Sequence, residues 1–251
     1  MAILYVASEA AELEPMAKLL TGVRKLKWPL AYAYEGVWEG RRLLLAANGA
    51  GPKLATRAVE VAIRAISSAD LSSSALEAVV STGFCGALDP ALRESQIVLA
   101  SQVLDWANKE RYDCVQIEDG ATAVPGLIVS QDRIAVDKEE KRCLWDSSGA
   151  AVVEMEASGV AARVKRAGLP FCCIKVILDR ADESFAIDWN GMRNAEGRIA
   201  RGKIVMHAVA RPNLLPGLFR LKRRSEEAAR VLGEFLVSSR ISPNASSARA
   251  D

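Results

Sequence analysis

Short apolar runs alternate with stretches of helical spacing along most of this chain. Residues 3–7 and 171–178 are almost continuously apolar, as expected for strands that are buried inside a sheet. Residues 53–67 repeat their apolar side chains every three or four positions, which is typical of an amphipathic helix. Strands that alternate with helices predict an α/β fold, in which a largely parallel or mixed central sheet is flanked by helices.

The same patterns predict the remaining elements and two glycine-rich turns, 48–52 and 82–87, each of which follows a strand. The other predicted helices are 10–20, 139–147, 157–167 and 225–237, and the other predicted strands are 32–35, 42–47, 78–81, 96–100, 126–129 and 152–154. With 251 residues, 50% of them apolar, the chain can bury a sizeable core. We expect one domain over residues 1–200 and an extension over residues 201–251, with one helix and a frayed tail.

The predicted extension is basic. Nine Lys and Arg residues lie between Arg193 and Arg224, against Glu196 alone, although the formal net charge of the chain is only +2. A solvated tail is the simpler explanation of such a segment. Contact with an anionic surface, either lipid or nucleic acid, is the alternative.

The composition excludes several classes of site. His207 is the single histidine, so a Ser-His or Cys-His nucleophile would depend on it, and histidine clusters for metals are excluded. The five cysteines have no metal-ligand spacing and predict a reducing, cytoplasmic compartment. We expect no signal peptide and no membrane span, because no run of about 18 apolar residues occurs. Acid–base chemistry therefore falls to carboxylates.

Three carboxylates stand where predicted elements begin or end. Glu12 lies early in the first helix, Glu156 lies where a strand gives way to a helix, and Asp179 ends an apolar strand. Each alone is explained equally well as a helix cap or as a first-turn acid beside the helix dipole. Ligands bind at the carboxyl ends of strands in such sheets, and buried acids require a partner or a function. Together the three acids therefore predict a site.

These residues and their surroundings resemble the family of purine nucleoside phosphorylases and 5′-methylthioadenosine/S-adenosylhomocysteine nucleosidases. The resemblance runs from Ile3 to about Asp182 and implies a three-layer phosphorylase/hydrolase-like fold with a central mixed sheet flanked by helices. The segments that carry it are VEMEA (153–157), GLPF (168–171) before the strand that ends at Asp179, TGFCGAL (82–88) and SQDRIA (130–135).

The resemblance also implies roles for single residues. Asp179 would protonate the purine N7, and Glu12 would activate water on the opposite face of the sugar. The implied substrate contacts are Met155 and Glu156 at the ribose, Thr82, Gly83 and Phe84 beside the sugar, and Ile134 and Ala135 around the purine. No metal or organic cofactor is implied.

Two departures from the family pattern bear on the reaction. Ser81 and Phe84 stand where the phosphorylases commonly place Arg and Ser for phosphate, which favours water as the nucleophile. Leu178 stands where many members carry Ser or Thr, which removes a possible partner of Asp179. We therefore expect hydrolytic release of adenine from a 5′-modified nucleoside. The alternatives are phosphorolysis and a non-catalytic nucleoside-binding protein.

Residues 83–92 and 211–221 further resemble the hopanoid-associated branch of this family, which is thought to remove adenine from adenosylhopane, a lipid-linked nucleoside. The mixture of leucines and basic residues in 211–224 suits a membrane-peripheral segment. A helix packed on the domain or on a neighbouring subunit explains the segment equally well. The expected partners are a purine nucleoside and further copies of the chain in a homo-oligomer, with no nucleic acid, in the cytoplasm.

Overall fold

The computed structural model describes residues 1–68, 76–115, 117–118, 123–185, 189–192 and 215–241. Every predicted helix and strand coincides with one of its elements. The helices are α1 (Ala10–Leu19), α2 (Pro52–Ser68), α3 (Lys138–Ser148), α4 (Ala157–Arg166) and α5 (Leu215–Ser238). The strands are β1 (Ala2–Ala7), β2 (Thr21–Lys25), β3 (Tyr32–Trp38), β4 (Arg41–Ala47), β5 (Leu76–Ala87), β6 (Ile97–Asp105), β7 (Arg111–Asp113), β8 (Ile117–Glu118), β9 (Val124–Ser130), β10 (Val152–Glu154), β11 (Phe171–Asp179) and β12 (Arg240–Ile241).

The main sheet is mixed and has the strand order β10-β9-β6-β11-β5-β1-β4-β3-β2, with β7 paired to β6. β5 runs parallel to β1 and β11, whereas β6 is antiparallel to β11 and β3 is antiparallel to its two neighbours. β10 also pairs with the end of β5, where Val153 lies opposite Gly86. The carboxyl ends of β5, β10 and β11 therefore lie close together.

Helices cover both faces of this sheet. α2 and α4 pack on one face, where Ala58 and Val160 belong to one apolar cluster. α1 and α5 pack together on the other face, with Leu13 and Leu232 in a second cluster. This arrangement is the predicted three-layer α/β fold, and none of the described helices is long and apolar enough to cross a membrane.

The last helix, α5, packs against the domain at Gly233. A Cβ at this position would lie 2.7 Å from Met16 N, so only glycine lets the backbones of α1 and α5 come so close. α5 begins at Leu215, whereas the sequence predicted its start near residue 225. The predicted domain boundary at residue 200 and His207 lie outside the described residues.

Residues 82–87 continue β5 and do not form the predicted turn. Their glycines make room for two acids, because a Cβ on Gly83 would lie 2.5 Å from Glu12 Oε1 and one on Gly86 would lie 2.9 Å from Asp179 Oδ2. Gly83 also has a φ of +119°, which side chains rarely allow. The glycines that suggested a turn therefore allow Glu12 and Asp179 to lie against one strand.

Candidate active site

A cavity of about 400 Å³ lies at the ends of β5, β10 and β11. Seven of the predicted site residues line it, and they are Glu12, Phe84, Ile134, Ala135, Met155, Glu156 and Asp179. Thr82 and Gly83 are not on its wall: Thr82 is fully buried within β5, and Gly83 lies behind the Glu12 carboxylate. The structure thus brings both predicted catalytic carboxylates to the same cavity.

Glu12 is held in one orientation by four donors. Its Oε2 accepts hydrogen bonds from Ser8 N at 2.9 Å, Ser8 Oγ at 2.7 Å and Glu9 N at 2.8 Å. Its Oε1 accepts one from Phe84 N at 2.8 Å. Glu9 and Glu12 form a capping box at the start of α1, which explains why the chain begins a helix there. Among the described donors, three bind Oε2 and one binds Oε1, so Oε1 keeps accepting capacity toward the cavity.

Glu156 lies beside a fully buried lysine. Lys175 of β11 places Nζ 2.6 Å from Glu154 Oε2 and 3.7 Å from Glu156 Oε2, and it donates to Thr82 O. Burial raises the pKa of Glu156 to about 7, although Lys175 opposes the rise. Burial lowers the pKa of Lys175, but Glu154 and Glu156 outweigh burial and raise it. The lysine therefore stays charged beneath two carboxyl groups.

Glu154 and Glu156 have different tasks in this arrangement. Glu154 accepts hydrogen bonds from Glu156 N and Ala157 N, each at 3.0 Å, so it caps the start of α4. Among the described donors, the Glu156 side chain accepts a hydrogen bond from Gly51 N alone, at 3.0 Å. Glu156 also lines the cavity. The capping acid is therefore structural, whereas Glu156 is available to a ligand.

Asp179 forms a buried ion pair with Lys141 of α3. Nζ of Lys141 contacts Asp179 Oδ2 and donates to two backbone carbonyls that follow, Arg180 O at 2.7 Å and Glu183 O at 3.0 Å. Burial raises the pKa of Asp179 above its ordinary value, and Lys141 acts in the opposite direction. The carboxyl thus has a buried, charged partner.

The loop before α3 contributes Ile134 and Ala135 to the wall. Ile134 N donates to Asn190 Oδ1 at 2.9 Å, and Asn190 Nδ2 donates to Ile134 O at 3.0 Å. The Asn190 amide thus bonds both polar groups of the Ile134 backbone. The Ile134 N–H is therefore engaged, so a purine acceptor would displace Asn190 Oδ1 to reach it, whereas Ile134 O keeps a second lone pair.

Helix α5 supplies part of the cavity wall, which the sequence did not predict. Leu221 and Ser225 line the cavity. Arg224 donates to Leu178 O at 2.5 Å and pairs with Glu183 at 2.8 Å, so it ties the helix to the end of β11. The described part of the predicted extension therefore forms part of the candidate site.

The wall of the cavity is mostly apolar and carries few cationic side chains. Phe84, Leu178 and Trp189 are among its large apolar side chains. Arg133 also lines it, and this guanidinium is paired with Glu140 at 3.0 Å. Within the described part of the chain, no group of three or more His, Cys, Asp or Glu residues could hold a metal ion.

Residues 106–205 match the sequence model of the phosphorylase superfamily. No curated protein sequence is similar enough to be matched. The expected resemblance to this superfamily is confirmed by the family match together with the fold.

Solved structures share the fold over nearly the whole chain. One is 5′-methylthioadenosine/S-adenosylhomocysteine nucleosidase from Helicobacter pylori, with a TM-score of 0.68 and 19% identity over 95% of this chain and 97% of that one. The 5′-methylthioadenosine/S-adenosylhomocysteine nucleosidase of Neisseria meningitidis, in complex with methylthio-immucillin-A, has a TM-score of 0.67 and 22% identity, over 94% of this chain and 99% of that one. Futalosine hydrolase of Helicobacter pylori has a TM-score of 0.67 and 18% identity, over 94% of this chain and 95% of that one. The predicted fold is therefore confirmed.

Proposed function

We propose that this chain is a nucleosidase of the phosphorylase superfamily, which hydrolyses the N-glycosidic bond of an adenine nucleoside with a modified 5′ position; the match of residues 106–205 to that superfamily's sequence model supports the proposal. One observation carries the proposal: Glu12, Glu156 and Asp179 are all buried and all line one cavity. Inverting glycosidases use a comparable arrangement, with an acid at the leaving group and a base at water on the other face of the sugar.

Asp179 is the proposed proton donor. Adenine is a poor leaving group as an anion, but it departs as a neutral molecule once N7 is protonated. A carboxyl group that donates near neutral pH needs a raised pKa, and burial raises the pKa of Asp179. The C1′–N9 bond then breaks with its electron pair going to the purine, and C1′ becomes oxocarbenium-like.

Glu156 and Met155 are proposed to hold the ribose. The Glu156 carboxylate accepts a hydrogen bond from the 2′-hydroxyl and places negative charge near the developing cation. Met155 packs against the sugar face. Both side chains line the cavity, and Gly51 N and Lys175 hold the Glu156 carboxyl from behind.

Glu12 is proposed to orient and deprotonate the attacking water. Oε2 already accepts three hydrogen bonds, whereas Oε1 accepts only the one from Phe84 N among the described donors. Oε1 is therefore the oxygen that takes the proton of water as the new bond to C1′ forms. The purine would lie against Ile134 and Ala135.

Release of adenine is expected without phosphate. In phosphate-free buffer, methylthioadenosine or adenosine should yield adenine and the free sugar, because Phe84 is apolar and Arg133 is already paired with Glu140. The measurement is product analysis with and without added phosphate. Strict dependence on phosphate would show phosphorolysis instead, and nucleoside binding without turnover would show a non-catalytic protein.

A lipid-linked nucleoside, as in the hopanoid-associated branch, is the second candidate substrate. Leu215 and Phe219 of α5 are 40% and 66% exposed. They lie on the helix whose Leu221 lines the cavity. An apolar 5′ tail could follow this helix out of the cavity, and its basic side chains suit an anionic membrane surface. Residues 211–214 of the segment lie outside the described residues. A panel of adenine nucleosides with different 5′ tails, in the same assay, separates the candidates.

The acid side of the pH profile is expected to report Glu156. Its pKa is raised to about 7, so the carboxyl is neutral below that pH and ionised above it. The ribose hydroxyl needs the ionised acceptor, hence kcat/KM should fall as the pH drops through about 7. Glu156→Gln should lower the plateau by on the order of 10- to 100-fold, the value of a hydrogen bond to a charged group, and should flatten this limb. A limb that persists in Glu156→Gln would contradict the assignment.

A further inference from the structure

Lys141 is a buried cation that the proposed reaction does not yet use. Its side chain is 1% exposed, and its ammonium contacts Asp179 Oδ2, Arg180 O and Glu183 O. An ammonium has three N–H donors and no acceptor. The three oxygens therefore use its whole donor capacity.

All three oxygens belong to the segment from Asp179 to Glu183, so Lys141 fixes the carboxyl and the turn behind it as one unit. Its contact is with Oδ2 of Asp179. No described residue donates a hydrogen bond to Oδ1, which leaves that oxygen for a ligand in the cavity. The arrangement gives the two oxygens of one carboxyl different tasks.

The other charged and titratable groups near Asp179 are already engaged or neutral. Glu183 raises the pKa of Asp179 and Arg224 lowers it, but these two are paired with each other at 2.8 Å. Glu94 also pairs with Arg224, at 3.0 Å. Burial raises the pKa of the neighbouring Cys85 thiol well above its ordinary value, so the thiol stays neutral. Among the described residues, Lys141 is the cation in direct contact with the carboxyl.

Resting on the proposed nucleosidase activity, we propose that Lys141 is a positioning residue that makes Asp179 an effective proton donor. It holds Oδ2, leaves Oδ1 to deliver the proton to N7, and stabilises the carboxylate that remains. In the balanced step the proton moves from Oδ1 to N7, and the C1′–N9 electron pair moves to the purine. Water adds to C1′ and gives its proton to Glu12, after which Glu12 releases a proton to solvent and Asp179 regains one from solvent.

Removal of the ammonium has two opposed consequences for Asp179. The carboxyl keeps its proton to higher pH, because burial is no longer opposed by a cation. It also gives up that proton less readily, because the carboxylate produced would be buried without a counter-ion. The rate should therefore fall while the basic limb of the pH profile moves upward. Damage to the fold alone would lower the rate without moving the limb.

The test is Lys141→Met in the full chain, with methylthioadenosine as the substrate. We expect kcat to fall by about 10- to 100-fold, the range for removal of a supporting partner of a functional group. The basic limb of kcat should move to higher pH by about 1 to 3 pH units. Lys141→Arg should keep the wild-type limb. An unmoved limb in Lys141→Met would overturn the proposal.

Two further measurements separate this proposal from the proposed function. In an Asp179→Asn background, adding Lys141→Met should lower kcat no further, because the lysine acts through Asp179. The carboxyl C=O stretch of Asp179, obtained as an infrared difference against Asp179→Asn, reports protonation even if no nucleoside is cleaved. Its midpoint should rise in Lys141→Met, and an unchanged midpoint would overturn the proposal.

Lys141→Gln is a second neutral variant that guards against a folding defect of Lys141→Met. Failure of both neutral variants to fold would make Lys141 structural and refute its positioning role.

Discussion

Replacement of Asp179 by asparagine is expected to lower kcat for adenine release by on the order of 10²–10⁴-fold, the range for a lost general acid. Asparagine keeps the size of the side chain and can still accept a hydrogen bond from Lys141, but it has no acidic proton for N7. At pH values where Asp179 is ionised, the change also leaves Lys141 buried without its counter-charge, which costs up to about 3–5 kcal/mol of unfolding free energy. Activity is therefore measured on protein whose folding has been checked by circular dichroism.

The control for this variant is Asp182→Asn, three residues along the chain. The Asp182 side chain is 65% exposed and pairs with Arg180, so its loss should leave kcat unchanged. A second substrate sharpens the test: a riboside with the same 5′ group and a 4-nitrophenyl leaving group needs no protonation to depart. Asp179→Asn should cleave that riboside nearly as fast as the wild type. An equal loss on both substrates would show that Asp179 is not the proton donor.

The sequence predicts the buried part of this fold well, because burial leaves a pattern. β11 lies between β5 and β6, and eight of its nine residues are buried, so the strand appears as an apolar run that Lys175 interrupts and Asp179 ends. β2 is paired only to β3, at the edge of the sheet, and all five of its residues are exposed. Its position rests on backbone hydrogen bonds, which leave no pattern in the side chains. This edge strand was therefore missed, whereas the strands at the centre of the sheet were found.

The sequence predicted the carboxylates of the candidate site but not its two buried lysines. Glu12, Glu156 and Asp179 stand at the ends of elements, which a sequence displays. Lys175 interrupts an apolar strand, and that interruption was a usable indication of a buried charge pair. Lys141 lies among other charged residues on α3, and its partner Asp179 is 38 positions away. Only the packing of α3 against the end of β11 distinguishes this lysine from its solvated neighbours.

The part of the cavity wall that α5 forms was also missed because it depends on tertiary packing. Its basic and apolar residues suggest a separate surface segment, because the sequence gives no sign that Gly233 meets the backbone of α1. That contact depends on the distance between two helices far apart in the chain. Once it forms, Leu221 and Ser225 are carried to the cavity and Arg224 to the end of β11. The position of α5 is thus a consequence of tertiary packing.

Replacement of Glu12 by glutamine is expected to lower kcat for hydrolysis by on the order of 10²–10⁴-fold, because the amide cannot take a proton from water. The change also disturbs four hydrogen bonds. A glutamine NH₂ group placed at Oε1 would face Phe84 N, and one placed at Oε2 would face three donors from Ser8 and Glu9. At least one partly buried donor then loses its acceptor, which costs about 1–3 kcal/mol of unfolding free energy. The measurements are single-turnover kinetics and chemical denaturation.

Glu14→Gln is the matched control, because Glu14 lies on the same helix, α1, and is exposed. It removes the same charge from the same element and should change neither kcat nor stability. Glu12→Gln should still bind the nucleoside, since the proposed ribose contacts are made by Met155 and Glu156. A second nucleophile separates stability from chemistry: if Glu12 deprotonates water, then azide, which needs no base, should restore cleavage in the glutamine variant and yield a glycosyl azide. Retention of wild-type kcat by Glu12→Gln, or a loss of nucleoside binding equal to the loss of rate, would remove Glu12 from the proposed mechanism.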